Sequence, residues 1–250
     1  MLQSLIYRAI AVTYIAFIFL TSLIFFLAAL MIFLVTAPFD RRLTALHQFT
    51  CFWATLYIWV MPPWSVSIEG KENIDANETY VIVSNHQSLV DILVAFTLFT
   101  HFKWVSKAEL FSLPFIGWNM SLNRYIRLRR GNPSSIKQMY ASCEKHLNQG
   151  SSVYLFPEGT RSESGHMRPF KEGAFVLAKR LDRPILPIVI NGSMTAVPKG
   201  SFNFHGKTHV RVSILPAIPA ETFKEEEARV LADRVHGIIE DRVVIEPESN

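Results

Sequence analysis

The chain has 250 residues, half of them hydrophobic, with a formal charge of +4 and two cysteines. That length suits one domain, or one domain with an attachment, and two cysteines exclude a disulfide framework. The charge is uneven: residues 221–250 hold nine acidic and four basic side chains, so residues 1–220 carry a net +9, which suits an anionic partner such as a membrane or a phosphorylated substrate. No nucleic-acid recognition motif accompanies it, so nucleic acid is not expected as a partner.

The first element is apolar. From Ala9 to Phe39 there is no charged side chain, a run of about 30 residues where about 20 suffice to span a bilayer. A signal peptide has a shorter apolar core and a small-residue cleavage site, so a membrane anchor is expected. Phe49 to Trp64 is a second apolar segment, rich in Trp, Tyr and Phe and ended by Pro62-Pro63. It reads as a second membrane helix or as a helix in the interface. Asp40-Arg41-Arg42 between the two must stay in water. One basic residue before the first helix (Arg8) against two after it places the later residues on the cytoplasmic side. Residues 1–64 are thus expected as a membrane-embedded two-helix segment, and 65–250 as an α/β domain with a mixed sheet flanked by helices.

Within that domain Tyr80–Val83 reads as a buried strand and Ser88–Phe99 as a helix. Asn132-Pro133 is a cap with proline at the first helical position, and the helix runs to Leu147 with Gly150 as its stop. Val153–Phe156, Ile185–Ile190 and Val210–Leu215 read as strands, and Glu172–Leu181 as a helix. Phe223–Val243 reads as a long amphipathic helix whose Glu225-Glu226-Glu227 suit the positive end of its dipole. Residues 246–250 are expected to fray.

Three segments at the ends of these elements can carry chemistry. After the strand Tyr80–Val83 comes Ser84-Asn85-His86, with Asp91 five residues beyond His86. A neutral imidazole takes up a proton near pH 7, and a carboxylate on its other nitrogen fixes the tautomer. The plainer reading of Asp91 is a capping box with Ser88. Phe156-Pro157-Glu158-Gly159-Thr160-Arg161-Ser162 follows another strand. Its glycine permits close backbone approach and Arg161 can grip phosphate with paired donors; the plainer reading is a surface turn with a Glu–Arg pair. Arg124-Tyr125-Ile126-Arg127-Leu128-Arg129-Arg130 suits phosphate or a basic sheet edge, and Lys171 adds a cation near a helix start.

In this order the segments resemble the glycerolipid acyltransferase family, most closely its members that acylate lysophosphatidic acid. Asn85-His86-(four residues)-Asp91 matches the family's first motif, and Phe156 to Ser162 its third. The arginine segment falls at the second motif, with Arg130 as its arginine and Arg127 or Arg129 as alternatives. Leu186-Pro187-Ile188-Val189-Ile190 matches the fourth, and the resemblance covers about residues 65–215. It implies transfer of a fatty acyl group from acyl-CoA or acyl-acyl-carrier protein to the sn-2 hydroxyl of 1-acyl-glycerol-3-phosphate, giving phosphatidic acid at the cytoplasmic face of the inner (plasma) membrane.

The roles it implies are specific. His86 is the general base and Asp91 its orienter, while Arg130 and Arg161 hold the acceptor phosphate with help from Gly159, Thr160 and Lys171. Glu158 orients Arg161 or meets a glycerol hydroxyl. No Ser nucleophile is required, and the GxSxG elbow of an acyl-enzyme mechanism is absent from the sequence. Neither HExxH nor paired CxxC spacing occurs, so no metal or resident cofactor is expected. The alternatives are the same chemistry on another lysophospholipid or a lyso-ornithine lipid, an esterase that transfers the acyl group to water, and an inactive membrane-binding scaffold.

Overall fold

A computed structural model describes residues 2–61, 63–162, 164–194, 196 and 207–245. It opens with α1 (Leu2–Thr36), followed by α2 (Thr44–Trp59) and then an α/β unit. One helical stretch, Ala9–Thr36, is long and apolar enough to cross a membrane, and 11% of it is buried.

The second apolar segment behaves differently from the first. α2 has 16 residues, nine of them buried. Its Cys51, Ala54 and Ile58 belong to the core of the α/β unit. Its His47 is wholly buried, with Nδ1 against the Tyr125 hydroxyl at 2.8 Å and Nε2 against the Thr100 carbonyl at 2.9 Å. Of the expected membrane-embedded pair, only the first helix therefore meets the span criterion; the second is committed on one side to the domain, where its His47, Gln48 and Thr50 find their partners.

Seven strands form one sheet in the order β1-β7-β6-β2-β5-β3-β4: β1 (Trp64–Glu69), β2 (Val81–Ser84), β3 (Phe102–Lys107), β4 (Ile126–Leu128), β5 (Ser152–Leu155), β6 (Ile185–Asn191) and β7 (Thr208–Ile214). All neighbours are parallel except β6 and β7, so the sheet is mixed, as expected. Four helices complete the unit, α3 (Val90–Phe96), α4 (Ile116–Leu122), α5 (Pro133–Asn148) and α6 (Gly173–Arg180), and α7 (Ala228–Glu240) closes it. The central strands are buried on both faces, which is why they read as continuous apolar runs. Val81 and Val83 pack with α5, α6 and α7 on one face, while Tyr80 and Ile82 pack with α2 and α3 on the other.

Boundaries move at the ends. The amphipathic helix expected from Phe223 begins at Ala228, because Ala220–Phe223 forms a 3-10 turn and the three glutamates precede the helix. The expected fraying of residues 246–250 lies outside the described residues.

One buried cation ties the front of the chain to the sheet. Lys103, in β3, is 1% exposed, and its Nζ donates to the carbonyls of Arg42 at 2.7 Å and Asn123 at 3.0 Å. Arg42 lies in the α1–α2 loop and donates in turn to the Gly150 carbonyl at 3.1 Å. Burial pulls the Lys103 ammonium down to about 7, opposed by Asp40.

Candidate active site

The parallel strands β2, β5, β3 and β4 all end at one edge of the sheet, and the three chemical segments follow three of those ends. Ligands of open α/β sheets bind outside the carboxyl ends of the strands. β2 and β5 are neighbours in register, Val83 opposite Leu155, so the loops carrying His86 and Glu158 leave the sheet side by side.

His86 Nδ1 lies 2.9 Å from Asp91 Oδ2, with His86 6% exposed and Asp91 wholly buried. The same carboxylate oxygen accepts from the backbone N–H groups of Gln87 at 2.7 Å and Ser88 at 2.8 Å. An acceptor fixed by two amides requires Nδ1 to carry the proton, which leaves the Nε2 lone pair for a substrate. The capping-box reading of Asp91 holds beside this role: its Oδ2 accepts from the Ser88 N–H, and Ser88 Oγ accepts from the Val90 N–H at 3.3 Å, so one carboxylate closes the first turn and orients His86. α3 starts at Val90 with no side-chain cap at its N-cap, Leu89, and Asp91 reaches back to the loop that presents His86. Its Oδ1 is buried without a hydrogen-bond partner.

The loop after β5 grips His86 on its other sides. Glu158 Oε1 accepts from the His86 N–H at 2.7 Å, and the Ser162 N–H donates to the His86 carbonyl at 2.8 Å. The Phe156 ring lies on the imidazole, 3.8 Å between centroids and 3° from parallel. Asn85, just before, bonds β6 in both directions: its Nδ2 donates to the Ile190 carbonyl at 2.7 Å, and its Oδ1 accepts from the Ile190 N–H at 2.8 Å. The sequence reading assigned no role to Phe156, Ser162 or the Asn85 clamp. Their adjacency to the motif residues was the available signal.

Glu158 differs from its expected role. It is 4% exposed, and its second oxygen accepts from the Arg168 N–H at 2.9 Å. Among the described residues it makes no ion pair with Arg161; it holds the histidine's backbone. Burial raises its pKa from 4.5 to about 7 against the two amide hydrogen bonds, which favour the ionised form.

Gly159 has φ +74°, in the left-handed region, and a Cβ there would stand 2.8 Å from Lys171 Nζ. The bare glycine thus lets the Lys171 side chain lie across the turn, while the Lys171 N–H bonds the Pro157 carbonyl at 2.9 Å. Thr160 and Arg161 are half-buried on the same turn. Arg130, beyond the end of β4, has its pKa lowered by burial and by the like charge of Arg161, with Glu109 opposing. Arg130 is thus electrostatically coupled to the Gly159 turn. Arg127 points elsewhere, its guanidinium 4.8 Å from the centre of the Phe111 ring and 2.9 Å from Ser121 Oγ. With Arg129 it lines a separate polar cavity. An apolar cavity of about 110 Å³ begins one residue beyond Asp91, lined by Ile92, Leu93 and Phe96 of α3, Trp53 and Tyr57 of α2, and Trp104.

Known proteins are similar to this chain. The acyltransferase family model matches residues 65–191. The 1-acyl-sn-glycerol-3-phosphate acyltransferase BAT2, chloroplastic, of Brassica napus is 38% identical over 178 residues, covering 70% of this chain and 51% of that protein. The 1-acyl-sn-glycerol-3-phosphate acyltransferase of Saccharomyces cerevisiae is 34% identical over 176 residues, covering 68% and 57%. The chain thus spans about half the length of these curated relatives. The crystal structure of the 1-acyl-sn-glycerophosphate (LPA) acyltransferase PlsC from Thermotoga maritima has the same fold, with a TM-score of 0.74 over 96% of this chain and 95% of that one, at 22% identity.

Proposed function

The chain belongs to the acyltransferase family, and on that premise we propose that it moves a fatty acyl group from a thioester to the sn-2 hydroxyl of 1-acyl-glycerol-3-phosphate, giving phosphatidic acid. The observation that carries this reading is the His86–Asp91 pair, held by the loop that carries Glu158 and Gly159, with Nε2 unengaged among the described residues. An alcohol is a weak nucleophile until it loses its proton. His86 Nε2 takes that proton as the hydroxyl oxygen attacks the thioester carbon. Asp91 stabilises the imidazolium that forms, as the buried carboxylate of a serine-protease triad does. The carbon–sulfur bond then breaks, and the imidazolium returns the proton to the departing thiolate. The acyl group passes directly, with no enzyme ester between.

Arg130, Arg161 and Lys171 hold the acceptor phosphate, and the apolar cavity beside α3 receives an acyl chain. The donor is acyl-CoA or acyl-acyl-carrier protein, and the scheme requires no resident cofactor. The helix Ala9–Thr36 seats the domain at the cytoplasmic face of the inner membrane, where both lipids are available.

The test is product analysis by mass spectrometry with acyl thioester and a panel of lysophospholipid acceptors. Lysophosphatidate is expected to give phosphatidic acid, and His86→Ala is expected to lower turnover by about 10²–10⁴ with folding retained. Turnover near wild type in His86→Ala would overturn the mechanism; a product formed only from another acceptor would overturn the substrate.

A further inference from the structure

Beyond the ends of β3 and β4 lies a polar cavity of about 560 Å³ that takes no part in the chemistry above. The turn after β3 forms one wall, with Phe111; Arg127 and Arg129 form the second; Asn132, Ser134 and Ser135 form the third. Among the described residues no carboxylate lines it. Asn132 is the N-cap of α5, accepting from the Ser135 N–H at 2.9 Å, and Ser135 Oγ accepts from the Arg129 N–H at 2.8 Å. The positive end of a 16-residue helix therefore borders the cavity, joined to the strand that carries both guanidinium groups. Arg127 is backed by the Phe111 ring, which holds its guanidinium plane ready for stacking on a base.

We propose that this cavity seats the nucleotide phosphates of an acyl-CoA donor. The inference rests on the acyl-transfer reading and assigns the donor within it. Two guanidinium groups, hydroxyls and a helix N-terminus, with no acid among the described lining residues, make a site for phosphate esters. Its position identifies which substrate brings them. β4 stands three strands from β2 in the sheet order, which puts the cavity roughly 14 Å from the strand that presents His86. In lysophosphatidate the phosphate joins the carbon next to the reacting one through a single oxygen, too short a link for that separation. In acyl-CoA the whole pantetheine arm lies between the thioester carbon and the pyrophosphate. Arg130 leaves the same strand but is coupled to Arg161 of the Gly159 turn, so that pair suits the short link, whereas Arg127 and Arg129 line the cavity and suit the long one. Acyl-carrier protein carries a single phosphodiester on the same arm and would meet this site with a protein surface instead.

The experiment compares the full-length chain in detergent with Arg129→Ala and with Arg127→Ala/Arg129→Ala. For palmitoyl-CoA the double variant is expected to raise KM by about tenfold or more, with kcat and the lysophosphatidate KM unchanged. Palmitoyl-pantetheine, which lacks the phosphates, is expected to show the same KM for wild type and variants. Adenosine 3′,5′-bisphosphate is expected to bind wild type in calorimetry and to lose that binding in the variants, a measurement that needs no turnover. If Arg127→Ala disturbs the packing on Phe111, seen as a lowered melting temperature, Arg129→Ala alone carries the comparison. A raised KM for lysophosphatidate, an equal effect on palmitoyl-pantetheine, or a loss seen with acyl-carrier protein but not with palmitoyl-CoA would overturn the assignment. Wild type that binds the bisphosphate but transfers no acyl group would instead sink the acyl-transfer reading.

Discussion

Glu158 is where burial and hydrogen bonding pull in opposite directions. Two backbone N–H groups favour its carboxylate, yet loss of water raises its pKa to about 7. The folded chain therefore holds a proton at pH values where the unfolded chain, with an ordinary carboxyl near 4.5, has lost it. The stability this contributes is complete below about pH 4.5 and declines as pH rises to about 7. Glu158→Gln removes the titration. Its amide NH₂ cannot accept, so the N–H of His86 or of Arg168 loses a partner, at about 1–3 kcal/mol. Thermal melts from pH 5 to 8 are expected to show wild type losing stability with rising pH and the Gln variant losing less, so that the two converge. Parallel curves would remove the titration from Glu158. Little of this was legible beforehand: the motif identified the acid, but its direction depends on Arg168, ten residues on, and on β2 lying beside β5. His86 and Asp91 were legible because both fall within one loop and one helical turn, where spacing alone fixes proximity.

At the scale of elements, the site depends on strands that hold one another in register. The Asn85 side chain replaces a strand bond between β2 and β6 with two of its own. Asn85→Ala is expected to lower stability by about 2–3 kcal/mol, since it leaves the buried N–H and carbonyl of Ile190 unpaired, and to depress turnover by loosening the loop that carries His86. Chemical denaturation measures the first, and an unchanged midpoint would mean that β6 and β2 hold without the clamp. The elements the sequence displayed were those whose burial matches their chemistry: β2, β5 and β6 as apolar runs, and α5 by its Asn132-Pro133 start. β3 was obscured by Lys103, a cation at a fully buried position, and α4 by its brevity, with a glycine and a buried Asn119 among seven residues. α2 was read as a membrane helix or an interfacial one, since its aromatic content is the same whether the rings face lipid or protein; its contacts with the sheet show that one side faces protein, while Phe52 and Trp59 are exposed. The choice among Arg127, Arg129 and Arg130 also lay beyond spacing, because β4 has three residues and the chain turns immediately after it.

For the molecule as a whole, α1 presents Phe19, Leu20, Ile24, Leu27, Met31 and Leu34 outward. Its inner side meets α2 through aromatic contacts such as Phe17 with Tyr57 and Phe25 with Trp53. An outward apolar face of that extent suits lipid. The full chain expressed in cells is therefore expected to stay in the membrane pellet through high-salt and alkaline carbonate washes and to leave it with detergent; release by salt alone would mean that basic residues, not α1, hold it there. The Lys103 bracket then acquires a mechanical meaning. Because β3 is fastened to the α1–α2 loop through Arg42, and Arg42 to Gly150, these bonds restrain the sheet relative to the loop that joins it to α1. On the acyl-transfer proposal, with α1 seated in a bilayer, such a bracket would set the height of His86 by the fold, and the lysolipid acceptor would be the partner that rises to meet it.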